Sequence, residues 1–393
     1  MRSIHLDASS SNELLTQDTL VREYLLVLLV AAATTYLLGG LVRRFAARIG
    51  AITPIRDRDV HSVPIPRLGG LAVLGGVVAA FVVATHLPFL GMLPEIRGDA
   101  WGLLLAGLVI AVVGGVDDVV DLDPITRLAG QVVAAGILVV SGVQLNWLPL
   151  PDGTTLSLSP TQSAIISALI IIMMANAVNF VDGLDGLAAG VVCLGAAAFF
   201  SYSYLLAFQN SLNRATTATL VTAVVTGACV GFLPHNFFPA RVFMGDSGAY
   251  LLGLLLAAST ISLTGWLDPS VMAADGVRQS LLPALLPLVL PIAVMALPFI
   301  DLMLAVVRRT RAGRSPFDAD KKHLHHRLHL ELGHSHPGAV LVMYLWAGLL
   351  AFGVVAIGLW TTWLTVGLVG LVVVLAILCT ALVPRLRKVA RPR

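Results

Sequence analysis

Charge is what this chain lacks. Of its 393 residues only 12% are charged, about half the share usual in soluble proteins. A net charge of +3 is too small to suggest a nucleic-acid partner. Cysteine is scarce too: Cys193, Cys229 and Cys379 all sit in apolar runs without paired spacing. They read as small hydrophobes, and neither a disulfide framework nor a cysteine metal site follows. No cleavable leader is evident, because the first 20 residues are polar and mixed in charge. No internal repeat is visible, which weighs against a secondary transporter built from inverted halves.

Apolar residues are abundant, at 57%. Runs of about 20 of them can cross the ~30 Å hydrocarbon layer. Eleven candidate spans are centred near residues 32, 79, 108, 137, 170, 197, 224, 257, 293, 350 and 373, those near 108 and 137 being short or interrupted. The predicted fold is an all-α, polytopic membrane helix bundle with about 11 spans. Residues 1–20 form a short external tail, 21–384 a single transmembrane domain, and 385–393 a basic tail. With alternate connections on opposite sides, 20 of the 25 Lys and Arg fall on one side. The positive-inside rule makes that side cytoplasmic, with the N-terminus outside and the C-terminus inside.

The carboxylates collect on the same side. "GGVDDVVDLDP" (114–124) packs Asp117, Asp118, Asp121 and Asp123 into one connection with no cation among them. "NAVNFVDGLDG" (176–186) brings Asn176, Asn179, Asp182 and Asp185, and "HNFFPARVFMGDSG" (235–248) brings Asn236, Phe243 and Asp246. "RSPFDADKKHLHHRLHLELGHSH" (314–336) supplies His323, His325, His326 and Arg327. The site loops are thus about 43–67, 117–127, 176–186, 235–248 and 308–337. Carboxylates and amides suit a hard divalent cation, and Mg²⁺ takes one or two carboxylates together with substrate phosphates. Arginines and histidines can donate to phosphate oxygens. Acids for a metal beside bases for phosphate suit phosphoryl transfer. A bland reading stands beside this one: Asp123 before Pro124 is as readily a solvated turn, and the basic stretch could simply face anionic lipid.

Taken in order, "HSVPIPRLGG", Asp117-Asp118-x-x-Asp121, "NFVDGLDG", "FMGDSG" and "HLHHRL" resemble the polyprenyl-phosphate N-acetylhexosamine-1-phosphate transferases. The resemblance runs from about residue 43 to 336. It implies ten or eleven spans in the cell membrane, cytoplasmic catalytic loops, and transfer of a sugar-1-phosphate from a UDP-sugar to a lipid phosphate. It implies Mg²⁺ as cofactor, with Mn²⁺ a candidate substitute. The fourth loop is similar to the branch that uses UDP-GlcNAc; the pentapeptide branch has a triple histidine there. The resemblance further implies Asp117, Asp118 and Asp121 as catalytic acids handling the lipid phosphate and metal. Asp246, Asp117 and Asn179 are the implied metal ligands. Asn179, Asp182, Asp185 and Asn236 would hold the nucleotide, with Phe243 stacking on uracil. Arg67 would lend a cation, and His323, His325, His326 and Arg327 would meet the pyrophosphate or the sugar. The expected partners are UDP-GlcNAc, polyprenyl phosphate and the bilayer, with a homodimer left open. Pro283, Pro287, Pro291 and Pro298 should bend the ninth span, either opening a groove for the acceptor chain or merely fitting the bundle.

Overall fold

The computed structural model describes residues 8–53, 64–150, 155–209, 215–266, 285–290, 336–360 and 362–389, with isolated positions between 292 and 311. Long helices carry most of it: α1 (Ala8–Arg48), α2 (Gly69–Ala84), α3 (Pro94–Val120), α4 (Pro124–Val140) and α5 (Pro160–Val181). α6 (Leu187–Gln209), α7 (Ala215–Asn236), α8 (Gly245–Trp266), α9 (His336–Leu359) and α10 (Trp363–Val389) follow. Among the described residues seven helices are long and apolar enough to cross a membrane; α2, α4 and the Trp363–Leu378 part of α10 are apolar but shorter. A helix satisfies its own backbone, which is what a chain needs in lipid. The protein is a multi-pass helical membrane protein. The ninth span expected near residue 293, with its prolines, lies almost wholly outside the described residues.

Three expectations change in detail. First, the span near 108 is not short. α3 runs for 27 residues straight through Gly114-Gly115, and Pro94 opens it at a position where the missing N–H costs nothing. Asp117 and Asp118 therefore belong to its last turn rather than to a loop. Second, the all-α expectation meets two small antiparallel pairs. β1 (Ile52–Thr53) pairs with β2 (Ile65–Pro66), and β3 (Trp147–Pro149) with β4 (Thr155–Ser157). These segments connect helices, so their backbone groups find partners in one another. Third, Asp123 is more than a turn residue. It caps α4, accepting from the N–H of Ile125 and of Thr126 at 3.0 Å each.

α8 lies at the centre. Its apolar window is wholly buried, and it packs against α2, α3, α5 and α7. α1 is the opposite case, presenting Leu37, Leu41 and Phe45 outward. The C-terminal ends of α1, α3, α5 and α7 and the N-terminal ends of α2, α4, α6 and α8 gather at one end of the bundle. All the motifs that the structure describes are at that end.

Candidate active site

Backbone pairing builds the frame. Residues 66–70 run alongside 243–244: the Phe243 N–H donates to the Pro66 carbonyl (2.9 Å), that of Gly69 to Phe243 (2.9 Å), and that of Gly70 to Met244 (2.8 Å). Gly245, at φ +71°, then turns the chain into α8, a conformation glycine adopts without a steric penalty. Gly70 passes so close to Gly248 that a Cβ there would come within 2.0 Å of the Gly248 nitrogen. "RLGG" and "FMGDSG", nearly 180 residues apart, thus form one corner.

The acids meet at this corner. Asp118 reaches from α3 to the first turn of α8, where Oδ1 accepts from the Asp246 N–H (3.0 Å) and Oδ2 from the Ser247 N–H (3.3 Å) and hydroxyl (3.2 Å). A carboxylate is favoured there because helix N-termini carry unpaired N–H groups and a partial positive charge. Asp117, buried beside it, pairs with Arg127: Nε to Oδ2 at 2.8 Å and Nη2 to Oδ1 at 2.9 Å. The cation missing within the acidic cluster comes from the start of α4. Asp246 lies against Asp117 and accepts from Asn179 Nδ2 at 2.6 Å. Asp182, at the end of α5, takes the Gly245 N–H and neighbours Asp118 and Arg67. Burial first, and the Asp118 charge second, push its pKa up to about 7.

The remaining site candidates are placed differently. Asp185 and Asn236 are buried and join the loops. Asp185 accepts from the Ala240 N–H (2.9 Å), while Asn236 accepts from Gly186 N–H (3.1 Å) and donates to the Val242 carbonyl (3.0 Å). Asn176 is spent on a reciprocal amide pair with Gln131. Phe243 is half-buried, its backbone held by residues 66 and 69. Asp121 stands apart. It ends α3 at φ +57° with an almost fully exposed side chain, 3.7 Å from Arg127. His323, His325, His326 and Arg327 lie outside the described residues. Arg127 and Ser247 were given no role from the sequence; the signals were a basic residue one helical turn beyond the Asp123 cap and the place of Ser247 within "FMGDSG".

The cap gives a first prediction. Asp123→Ala removes acceptors for two α4 N–H groups and the Thr126 hydroxyl, all away from the acidic corner. It should lower Tm modestly and leave turnover near wild type. Turnover loss as severe as that of an Asp246 variant would place Asp123 in the chemistry instead.

Comparison with known proteins decides the family. Residues 100–264 match the glycosyl transferase family 4. The decaprenyl-phosphate N-acetylglucosaminephosphotransferase of Mycobacterium tuberculosis is 45% identical over 341 residues, covering 85% of this chain and 82% of its own. The Mycolicibacterium smegmatis protein of the same name is 43% identical over 376 residues, with 94% and 90% covered. A probable undecaprenyl-phosphate N-acetylglucosaminyl 1-phosphate transferase of Bacillus subtilis is 30% identical over 347 residues, 88% of each chain. This chain belongs to the polyprenyl-phosphate GlcNAc-1-phosphate transferase family.

For a transferase of this family the question of Mg²⁺ turns on the donor set. Asp246 and Asp117 bring two carboxyl groups together, a repulsive arrangement that a divalent cation between them would relieve. Among the described residues no three His, Cys, Asp or Glu side chains form a metal-holding group. The two carboxyl groups of Asp246 and Asp117 suit Mg²⁺, which takes one or two carboxylates and leaves other positions to phosphates and water. Asn179 spends its amide N–H₂ on Asp246, so only its carbonyl oxygen is left for a cation. Asp118, with both oxygens hydrogen-bonded to α8, orients the turn that carries Asp246, whereas Asp117 Oδ2 is buried beside Arg127 and, among the described residues, has no hydrogen-bond donor on it.

Proposed function

We propose that this chain transfers N-acetylglucosamine-1-phosphate from UDP-GlcNAc to a polyprenyl phosphate, giving UMP and a lipid-linked pyrophosphoryl sugar. The observation that carries the reading is the meeting of Asp117, Asn179, Asp182 and Asp246 at the N-terminus of buried α8, with Arg67 and Arg127 as the nearby cations. The family relatives, whose names specify a polyprenyl phosphate acceptor and N-acetylglucosamine, support it. In this reading the acceptor phosphate oxygen attacks the sugar-bearing β-phosphorus, and the bond from that phosphorus to the bridging oxygen breaks. UMP leaves with the bridging oxygen. A phosphate monoester has a second pKa near ~6, so the acceptor needs little help from a base at neutral pH.

Each residue's task follows from its surroundings. Mg²⁺, held by Asp246 and Asp117, would offset the negative charge of the pyrophosphate. Asn179 fixes the Asp246 carboxylate, and Arg127 does the same for Asp117. Arg67, close enough to act on Asp118 and Asp182, gives the substrate phosphates a cation beside the acids. Phe243 offers a ring for the uracil, and the histidines of the fourth loop would complete the pyrophosphate contacts. The Lys and Arg bias puts this end of the bundle in the cytoplasm, where UDP-sugars are available.

The test is UMP release by the purified protein with polyprenyl phosphate across a Mg²⁺ titration. UDP-GlcNAc should be turned over only with both lipid and metal, and UDP-MurNAc-pentapeptide should be refused. Efficient use of the pentapeptide donor would move the chain to the other branch of the family. UMP release that survives metal removal would remove Mg²⁺ from the reading.

A further inference from the structure

Beside the acidic corner a cavity of about 960 Å³ opens, lined among others by Arg43, Arg44, His235 and Arg241. None of the acids of the transfer site lines it, and among the described residues no Asp or Glu does. Its walls are firm. β2 supplies one side, the 238–241 loop is held by Asp185 through the Ala240 N–H, and His235 Nε2 sits 2.8 Å from the Tyr36 carbonyl oxygen. Arg43, Arg44 and Arg241 are exposed, and among the described residues none of the three is paired with a carboxylate. Three guanidinium groups around one opening repel one another unless an anion neutralises them, and their planar forks match phosphate oxygens.

The helix that bears two of them indicates the kind of anion. Leu37, Leu41 and Phe45, spaced four residues apart on α1, are 69%, 58% and 50% exposed. This apolar stripe runs along the outside of α1 to the turn from which Arg43 and Arg44 project. A soluble phosphate would use the arginines and leave the stripe unused. A membrane phospholipid would use both, with its acyl chains on the stripe and its headgroup in the cavity. We infer that Arg43, Arg44 and Arg241 form a binding site for the headgroup of an anionic phospholipid, next to the transfer site and distinct from it.

The experiment uses the full chain in neutral detergent, with phosphatidylglycerol binding followed by native mass spectrometry. Phosphatidylcholine, a polyprenyl phosphate and inorganic phosphate are the other arms. A juxtamembrane basic residue contributes enough that losing two should weaken binding about 25-fold, and losing one about 5-fold. So R43Q/R44Q should bind phosphatidylglycerol about 25-fold more weakly than wild type and R241Q about 5-fold more weakly. R48Q, an exposed arginine on α1 outside the cavity, should be unchanged. Arg241 is on a different element, so R241Q reads the site even if the double variant is poorly folded. Equal affinity in all four proteins would overturn the inference. Displacement of phosphatidylglycerol from wild type by polyprenyl phosphate at comparable concentration would make the cavity the acceptor's own, and equal competition by inorganic phosphate would make it a soluble-anion site; either result overturns it.

Discussion

Asp246→Asn should lose most turnover while the protein stays folded. Asn keeps the size of the side chain and an oxygen that can still accept from Asn179, so the first turn of α8 has no reason to move. What disappears is the charge that a cation and a developing phosphoryl centre need. Removing an interaction used chiefly in the transition state lowers kcat and kcat/KM together, here by ~10²-fold or more. Part of that loss should return at high Mg²⁺ if Asp246 holds the metal. Asp117→Asn should fall as far in kcat and also cost stability, because it leaves the Arg127 guanidinium without its buried ion-pair partner. Asp118→Asn should be the least stable of the three. Its new N–H₂ would face either the Asp246 N–H or the two Ser247 donors. Steady-state kinetics across a Mg²⁺ titration, with Tm measured on the same samples, separates the three. Near-normal kcat in both the Asp246 and Asp117 variants would show that the clustered acids are only structural.

Gly70→Ala should unfold or badly weaken the corner although it adds a single methyl. The added Cβ would stand 2.0 Å from the Gly248 nitrogen and 2.5 Å from the Gly248 Cα. Both are backbone atoms of α8, and no rotamer change can move them. Relief requires α2 to separate from α8, which also pulls the Gly70 N–H from the Met244 carbonyl. Alanine gains ~1 kcal/mol of helix propensity over glycine, but overpacking against fixed atoms costs about 3 kcal/mol or more. Gly136→Ala is the matched control, with nothing within 4 Å of the added methyl on α4, and it should be neutral or slightly stabilising. A Tm for Gly70→Ala equal to that of Gly136→Ala would mean that the two glycines are not in contact in the folded protein.

The motifs were readable because charge stands out in an apolar chain. Asp117, Asp182 and Asp246 could be grouped before any contact was known, simply because helix ends must alternate between two faces. Their division of labour could not. Asp118 differs from Asp117 only in being one residue further along α3, yet that 100° rotation brings one to the backbone N–H groups of α8 and the other to Arg127. Asp185 and Asn236 have the same chemistry as ligands, and only their distances to Ala240, Gly186 and Val242 show them holding loops together. Asp121 shares a motif with Asp117 but ends the helix, so its side chain is turned out into the open.

Composition and hydropathy by themselves determined that the chain is a helical bundle in a membrane, since backbone in lipid must be satisfied within each helix. The order of the motifs determined the family. Tertiary structure alone decided which helix is central. α8 is less hydropathic than α1, yet α8 is wholly buried and α1 mostly faces outward. Lipid tails are as apolar as a neighbouring helix, so hydrophobicity cannot tell the two apart. The choice falls instead to close packing: the glycines at 70, 114 and 248 let three backbones meet at the first turn of α8, and the acids converge there because those backbones do.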